Sequence, residues 1–315
     1  MPRICLLIAS ALCAAAVYSE PSYRAFVTNE KDDTVSVIDT RVNAVVATIP
    51  IGDRPRGIGL APDGSEVYVA VSAENAIVVF DPHSLEIKRR FASGDDPETF
   101  DVHPNGNIYI SNEEDAKASV FDPDGRLIAE IPVGIEPEGV AVAPDGNRVI
   151  VTSESTNMLH VITVPEHYLV GNILVGARPR AATFSADSKT AFSSSEVNGE
   201  IKRIAMDSFQ ITGALTLGDS KAKPKDLLLS KDGNKLYVAG GRANRVYVID
   251  PDMMSIRNSI AVGKRVWGLA MNRDGGTLYT TDGVSGTVSV IDTVTDEVIT
   301  TIEVGSFPWG IVVDD

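Results

Sequence analysis

Four glutamates recur at one place in this chain, each closing a short run of hydroxyl and amide side chains: Thr28-Asn29-Glu30, Ser111-Asn112-Glu113, Thr152-Ser153-Glu154 and Ser194-Ser195-Glu196. A second set follows a recurring turn and changes from copy to copy: Arg56, Glu98, Glu138, Arg180, Lys225, Trp267 and Trp309. Two carboxylates about 4 Å apart repel by about 4 kcal/mol at a surface-like dielectric, so convergence of several requires compensating positive charge. That charge comes either from the chain, through Arg56, Arg180 or Lys225, or from a bound cation. A pure carboxylate and amide donor set suits a hard ion, Ca²⁺ or a trivalent lanthanide, which takes six or more oxygen ligands. Glu98, Glu113, Glu138 and Glu154 are the foremost candidate ligands, with Glu196 at the same repeat position.

Trp267 and Trp309 offer different chemistry. Two indoles either plug a channel mouth or form a flat apolar platform, which beside the Arg56 and Arg180 guanidiniums suits an anionic aromatic ligand. Catalytic signatures are missing: there is no Gly-x-Ser-x-Gly elbow, Walker loop, dinucleotide fingerprint or EF-hand spacing. The four histidines fall elsewhere, His83, His103 and His167 at the opposite ends of strands and His160 within one. None is expected to reach the carboxylate face, which argues against a His-ligated metal or a His general base there.

The elements that must carry these residues repeat with a fixed period. In the stretch from Tyr23 to Gly52, three runs alternate apolar with polar residues, Ala25 to Thr28, Thr34 to Ile38 and Val45 to Ile49, and turn-forming Asn, Asp and Thr separate them. Period two with β-branched enrichment means strands. A turn of the form Gly-x-x-Pro-x-Gly follows and recurs, degraded, at Gly52, Gly94, Gly134, Gly176, Gly218, Gly263 and Gly305, at intervals of 42, 40, 42, 42, 45 and 42 residues. Three extra residues before Pro224 account for the long interval. Four strands per repeat of about 42 residues is the pattern of a β-propeller blade, and seven repeats lie within the range of such folds. The sequence ends on a strand, Trp309 to Asp315, that completes the three-stranded opening stretch, so the ring closes through both ends of the chain and removes exposed sheet edges.

Strand alternation then sorts the motifs. With strands lettered A to D from axis to rim, the D-to-A and B-to-C loops share one face, and it carries both residue sets above. The other face holds the Asp-Gly turns and the turns led by Asp39, Asp81, Asp122, Asp250 and Asp292, whose side chains suit tight hairpins. On the first face, blades two to four are acidic and blades five and six basic. Glu30 lies in the closing blade, away from the acidic sector, and ranks below Glu113 and Glu154.

An apolar run from Ile4 to Val17 behind Arg3 is too short to span a bilayer and ends in small residues, the pattern of an export leader over residues 1–19. Both cysteines, Cys5 and Cys13, lie in it, so the mature chain, residues 20–315, is expected as one domain without disulfide or thiolate. Loss of the leader removes Arg3 alone and takes the formal charge from −15 to −16. Such acidity argues against nucleic acid and anionic membranes as partners.

Phe26-Val27-Thr28-Asn29 and Tyr109-Ile110-Ser111-Asn112 match the YVTN-type propeller repeat. The stretches RPRGI at Arg54, DPETF at Asp96, EPEGVAVAPDG at Glu136, TSESTNMLH at Thr152, ARPR at Ala177, RVWGLA at Arg265 and FPWGI at Phe307 together resemble the exported seven-bladed propellers that accompany PQQ-dependent alcohol catabolism. The resemblance implies a periplasmic, non-catalytic accessory protein, associated with a transport system and with quinoprotein dehydrogenases that use PQQ with Ca²⁺ or a lanthanide; separately, a monomer is expected. It favours a bound hard cation, with PQQ on the tryptophan platform, a protein-interaction scaffold, or a propeller hydrolase or lyase as the alternatives.

Overall fold

The computed structural model describes residues 19–315, so all of the expected leader but its last residue lies outside the described residues. Twenty-eight strands form seven four-stranded antiparallel sheets arranged as propeller blades. In the closing blade, the C-terminal strand Pro308–Asp314 pairs with Arg24–Asn29, which is followed outward by Thr34–Asp39 and Ala44–Pro50. Ring closure by both ends of the chain is therefore as the repeat count requires. Among the described residues no helix is long and apolar enough to cross a membrane.

Burial follows the strand order. Strands B and C are covered on both faces and read as continuous apolar runs, such as Val67–Val71 and Ala76–Phe80, while rim strands such as Ala44–Pro50 alternate exposed and half-buried. The core is divided into seven clusters, and each lies between two neighbouring blades. Phe26 of the closing blade, for example, meets Phe80 of blade one edge to face, with centroids 5.4 Å apart. No blade has a core of its own, so each is stable only against its neighbours.

The second-face aspartates behave as turn formers. Asp39, Asp81, Asp250 and Asp292 each accept from the amide two residues on, at 2.8 to 3.0 Å. The Arg41 guanidinium and amide hold the Asp39 carboxyl down to about 2.

Two sets of polar contacts weld the first face. In five blades the hydroxyl of the second-to-last residue of strand B bridges to the next blade. Thr28 donates to the Arg56 carbonyl at 2.7 Å, Ser194 to that of Lys225 at 2.7 Å and Thr281 to that of Trp309 at 2.7 Å. The same hydroxyls accept from strand A of their own blade, Thr28 from the Gly310 amide at 2.9 Å and Thr281 from the Gly268 amide at 2.8 Å. Strand A is irregular there, its register shifting between Pro55 and Ile58, Pro97 and Phe100, and Val266 and Leu269. Glycine is needed at the bulge because the next blade comes so near: a Cβ on Gly139 would lie 2.3 Å from the Arg180 carbonyl oxygen, and one on Gly310 2.6 Å from that of Arg56.

The second set pins the residue two places before the mouth position. Arg54, Asp96, Glu136, Arg178, Arg265 and Phe307 all adopt left-handed backbone, with φ between 48 and 60°, and five of them precede proline. That conformation is disfavoured for a side-chain-bearing residue, so neighbours must hold it. They do so from both sides. The amides of Arg54, Asp96, Arg178 and Arg265 donate to Asp33, Asn75, Asn157 and Asn244 of the preceding blade at 2.9 to 3.1 Å. Their carbonyls accept from Ser72, Glu113, Glu196 and Gly283 of the same blade at 2.9 to 3.1 Å.

Thr281→Val removes the bridging hydroxyl at constant shape and strands the Gly268 amide and the Trp309 carbonyl. It is expected to lower unfolding stability by about 1–3 kcal/mol in urea titration, whereas Thr301→Val on the exposed rim strand should stay within about 0.5 kcal/mol of the parent.

Candidate functional site

The side chains at the seven mouth positions contact their neighbours in two groups, Arg56 with Glu98, and Glu138 with Arg180, Lys225, Trp267 and Trp309. Arg56 pairs with Glu98, and Glu138 with Arg180. Lys225 Nζ lies 4.3 Å from the centroid of the Trp267 ring, which stacks on Trp309 at 5.9 Å and 25°. Beneath them is a cavity of about 180 Å³, lined by the mouth residues Glu138, Arg180, Lys225, Trp267 and Trp309 and by apolar strand-A side chains such as Ile58, Phe100 and Ile311. The second storey is built from strand-B ends and from residues before the turn proline. Arg54 lies 3.5 Å from Glu30 and 3.3 Å from Asp96. Arg178 and Arg180 both reach Glu154, and Lys225 reaches Glu196 at 2.8 Å.

The five glutamates expected as metal ligands are therefore not one set. Glu138 and Glu154 share Arg180, and Glu196 is bound by Lys225 with Arg178 at 3.5 Å, so these three are neutralised from within. Burial pushes the Glu196 carboxyl up, but Lys225, Arg180 and Arg178 more than reverse it and leave its pKa below the ordinary value. Glu98 and Glu113 instead join Asp96, and the ligand oxygens of these three lie within 4.8 Å of one another. Glu98 is fully buried and takes Arg56; Asp96 takes Arg54. Glu113 is left with no ion-pair partner among the described residues, and burial together with repulsion from Glu138, Asp96 and Glu136 raises its pKa against the opposing pull of Arg56. The triad thus carries more negative charge than its two arginines balance.

Trp267, Trp309 and Arg180 are brought together at the cavity, and Arg180 lies 5.6 Å from the Trp267 ring centroid. Arg265 approaches the same ring at 4.9 Å, so Trp267 is surrounded by three cations and an indole. Arg56 is turned away from this group, bonded to Glu98 and to Glu30 at 3.1 Å. One histidine departs from expectation: His160 Nε2 accepts from the Gly134 amide at 2.9 Å, so its ring does reach the loop base on the carboxylate face. It fills in for the asparagine that Asn29 supplies elsewhere, where the Gly305 amide donates to Asn29 at 3.1 Å, because its own strand B ends in the shorter Ser153. His160 touches no carboxylate, and burial lowers its pKa, so it is a neutral acceptor.

Several contributors were not singled out from the sequence. Arg54 and Arg178 supply ion pairs from the position before the turn proline, and the Arg-Pro-Arg spacing in just these two blades was their signal. Asp101 and Asp226 tie strand A to the next blade, each accepting an amide at 2.8 Å, from Val142 and Leu269. Burial pushes both carboxyls up to about 6.

Fold and site define a seven-bladed β-propeller with a charged, pre-organised channel mouth. Residues 1–129 match a family model described as a YNCE-like beta-propeller. Over 164 residues the chain is 27% identical to a protein named "Uncharacterized protein YwhL" from Bacillus subtilis, an alignment that takes in 49% of this chain and 34% of that one, so the chain spans about a third of the length of the curated relative it matches. Among solved structures it is similar to hydrazine synthase from Kuenenia stuttgartiensis, with a TM-score of 0.80 at 16% identity over 91% of this chain and 100% of that one. A functionally unknown protein from Desulfotomaculum acetoxidans gives 0.81 at 16% identity over 93% and 99%, and a streptogramin B lyase gives 0.74 at 16% identity over 93% of each. At such identities the likeness is one of fold alone.

Glu113→Gln tests the charge imbalance. A carboxyl whose folded pKa is raised contributes stability below that pKa and loses it as pH rises through it. The variant is therefore expected to melt above the parent at pH 7 and together with it at pH 3.5, as read by thermal scans at the two pH values.

Proposed function

We propose that this chain is an exported, non-catalytic binding protein that holds a hard cation, a lanthanide or Ca²⁺, at the channel mouth. The observation that carries the reading is the Asp96, Glu98 and Glu113 triad, with ligand atoms within 4.8 Å and an excess of negative charge. The turn that carries Asp96 and Glu98 is pinned from both sides, by Asn75 of the preceding blade and by the Glu113 amide, so little conformational entropy remains to be lost on binding. Three carboxylates supply part of the six or more oxygens such an ion takes, and water supplies the rest. Arg54 is the residue that must yield. Its guanidinium is more than one-third exposed and reaches Asp96 at 3.3 Å, so it can swing out as the ion enters, whereas Arg56 stays on Glu98. The resemblance to propellers of PQQ-dependent alcohol catabolism supports a periplasmic place beside a quinoprotein dehydrogenase or its transport system.

A second reading rests on the stacked Trp267 and Trp309 with Arg180 at their edge, an arrangement suited to PQQ or another aromatic anion. The chain's two tryptophans are both at the mouth, so intrinsic fluorescence reports on either ligand.

Calorimetric titration with La³⁺ and Ca²⁺ is expected to show La³⁺ binding at micromolar levels or tighter, at least tenfold weaker in Asp96→Asn and Glu113→Gln and tighter in Arg54→Ala. Millimolar La³⁺ affinity, or equal affinity in all four proteins, would remove the cation reading. PQQ affinity that survives the Trp267→Ala, Trp309→Ala double change would remove the second.

A further inference from the structure

Lys225 combines features that a salt-bridging lysine does not need. It is 6% exposed, it lines the cavity beneath the mouth, and its Nζ sits 2.8 Å from Glu196 and 4.3 Å from the Trp267 centroid. The surrounding wall is mixed: Ile58, Phe100, Ile311, Trp267 and Trp309 supply an apolar side, and Glu138, Arg180 and the buried Asp226 a charged one. The charged groups that act on the amine are Arg180 and Glu196 of blade four and Glu138 of blade three, with Arg265 of blade six against the same indole. Burial, then Arg180, lowers its pKa to about 7 against the pull of Glu196 and Glu138. A lysine desolvated by burial beside another cation is an arrangement that yields a neutral, nucleophilic amine near physiological pH.

We propose that Lys225 is a covalent capture site for a small apolar aldehyde, held in the cavity as a reversible imine. The amine nitrogen attacks the carbonyl carbon, the carbonyl oxygen takes a proton to give a carbinolamine, and loss of water leaves the C=N bond. One water is released and nothing is oxidised or reduced. Glu196, hydrogen-bonded to Nζ, takes the proton released by the nitrogen and returns it to the departing hydroxyl. The cavity sets the size of the guest. An engineered apolar cavity of about 150 Å³ admits benzene, so about 180 Å³ fits an aldehyde of benzaldehyde size. The site is separate from the Asp96, Glu98 and Glu113 triad and stands whether or not that triad binds an ion.

The test is reductive trapping of the full chain with benzaldehyde and cyanoborohydride at pH 7, followed by peptide mass mapping. An ordinary lysine is about a thousandfold protonated at that pH, so the Lys225 peptide is expected to gain one benzyl group at least tenfold faster than any other lysine peptide. The map separates it from the N-terminal amine, the other group that is partly neutral there. Glu196→Gln removes a carboxylate that favours the ammonium, so the pH midpoint of labelling should fall. Pyrenecarboxaldehyde, too large for the cavity, should lose the selectivity for Lys225. Labelling of Lys225 at or below the rate of exposed lysines in the unmodified protein would overturn the proposal, as would equal selectivity with the larger aldehyde.

Discussion

In five of the seven blades one strand-B hydroxyl, on Thr28, Ser111, Thr152, Ser194 or Thr281, holds the functional face in place by reaching the mouth carbonyl of the next blade. In the Thr28 and Thr281 blades it joins three things: its own strand, the amide of its own strand A, and the mouth carbonyl of the next blade. Because the contact crosses between blades, it fixes the angle at which each mouth residue enters the channel, and the core clusters, which also lie between blades, hold the same interfaces from below. Without that register the left-handed residues before the turn proline would relax. The mouth ion pairs would then lose the low-entropy geometry that lets so many charges sit together.

Those charges form a graded ring. From Arg180 to Trp267 every cation has a carboxylate or an indole against it, and the sector is electrically quiet. Around Glu113 the balance fails, since two arginines face three carboxylates with Glu136 and Glu138 close behind. Imbalance of this kind is costly for the fold alone, and sites that bind are where such costs concentrate.

The blade count, the strand order and the closing of the ring could be read from the spacing of the turns, because each Gly-x-x-Pro-x-Gly copy marks one passage from rim to axis. The mouth set was equally legible, since a position that varies between arginine, glutamate and tryptophan in a fixed frame is not a structural one. Pairing was not legible. Glu154 and Glu113 hold the same repeat position, yet one is paired with Arg178 and Arg180 while the other has no ion pair among the described residues, and that difference depends on side-chain reach across blade boundaries. Asn75, Asn157 and Asn244 were hidden for a similar reason: they resemble ordinary loop asparagines, and their partners lie 21 residues on, in the next repeat. His160 escaped because its role appears only where Ser153 is too short to reach Gly134.

The pairing of Arg24–Asn29 with Pro308–Asp314 also has a kinetic side. Six blades can assemble from neighbouring segments, but the seventh requires two ends of the chain to meet across nearly its whole length, the slowest kind of contact to form. Until it forms, the sixth blade lacks its neighbour, and the interblade cluster around Tyr279 stays open to water. The mouth residues on either side of that seam, Trp309 and Arg56, are thus the last to reach their places, and the ring of charge is completed only when the polypeptide itself becomes a circle.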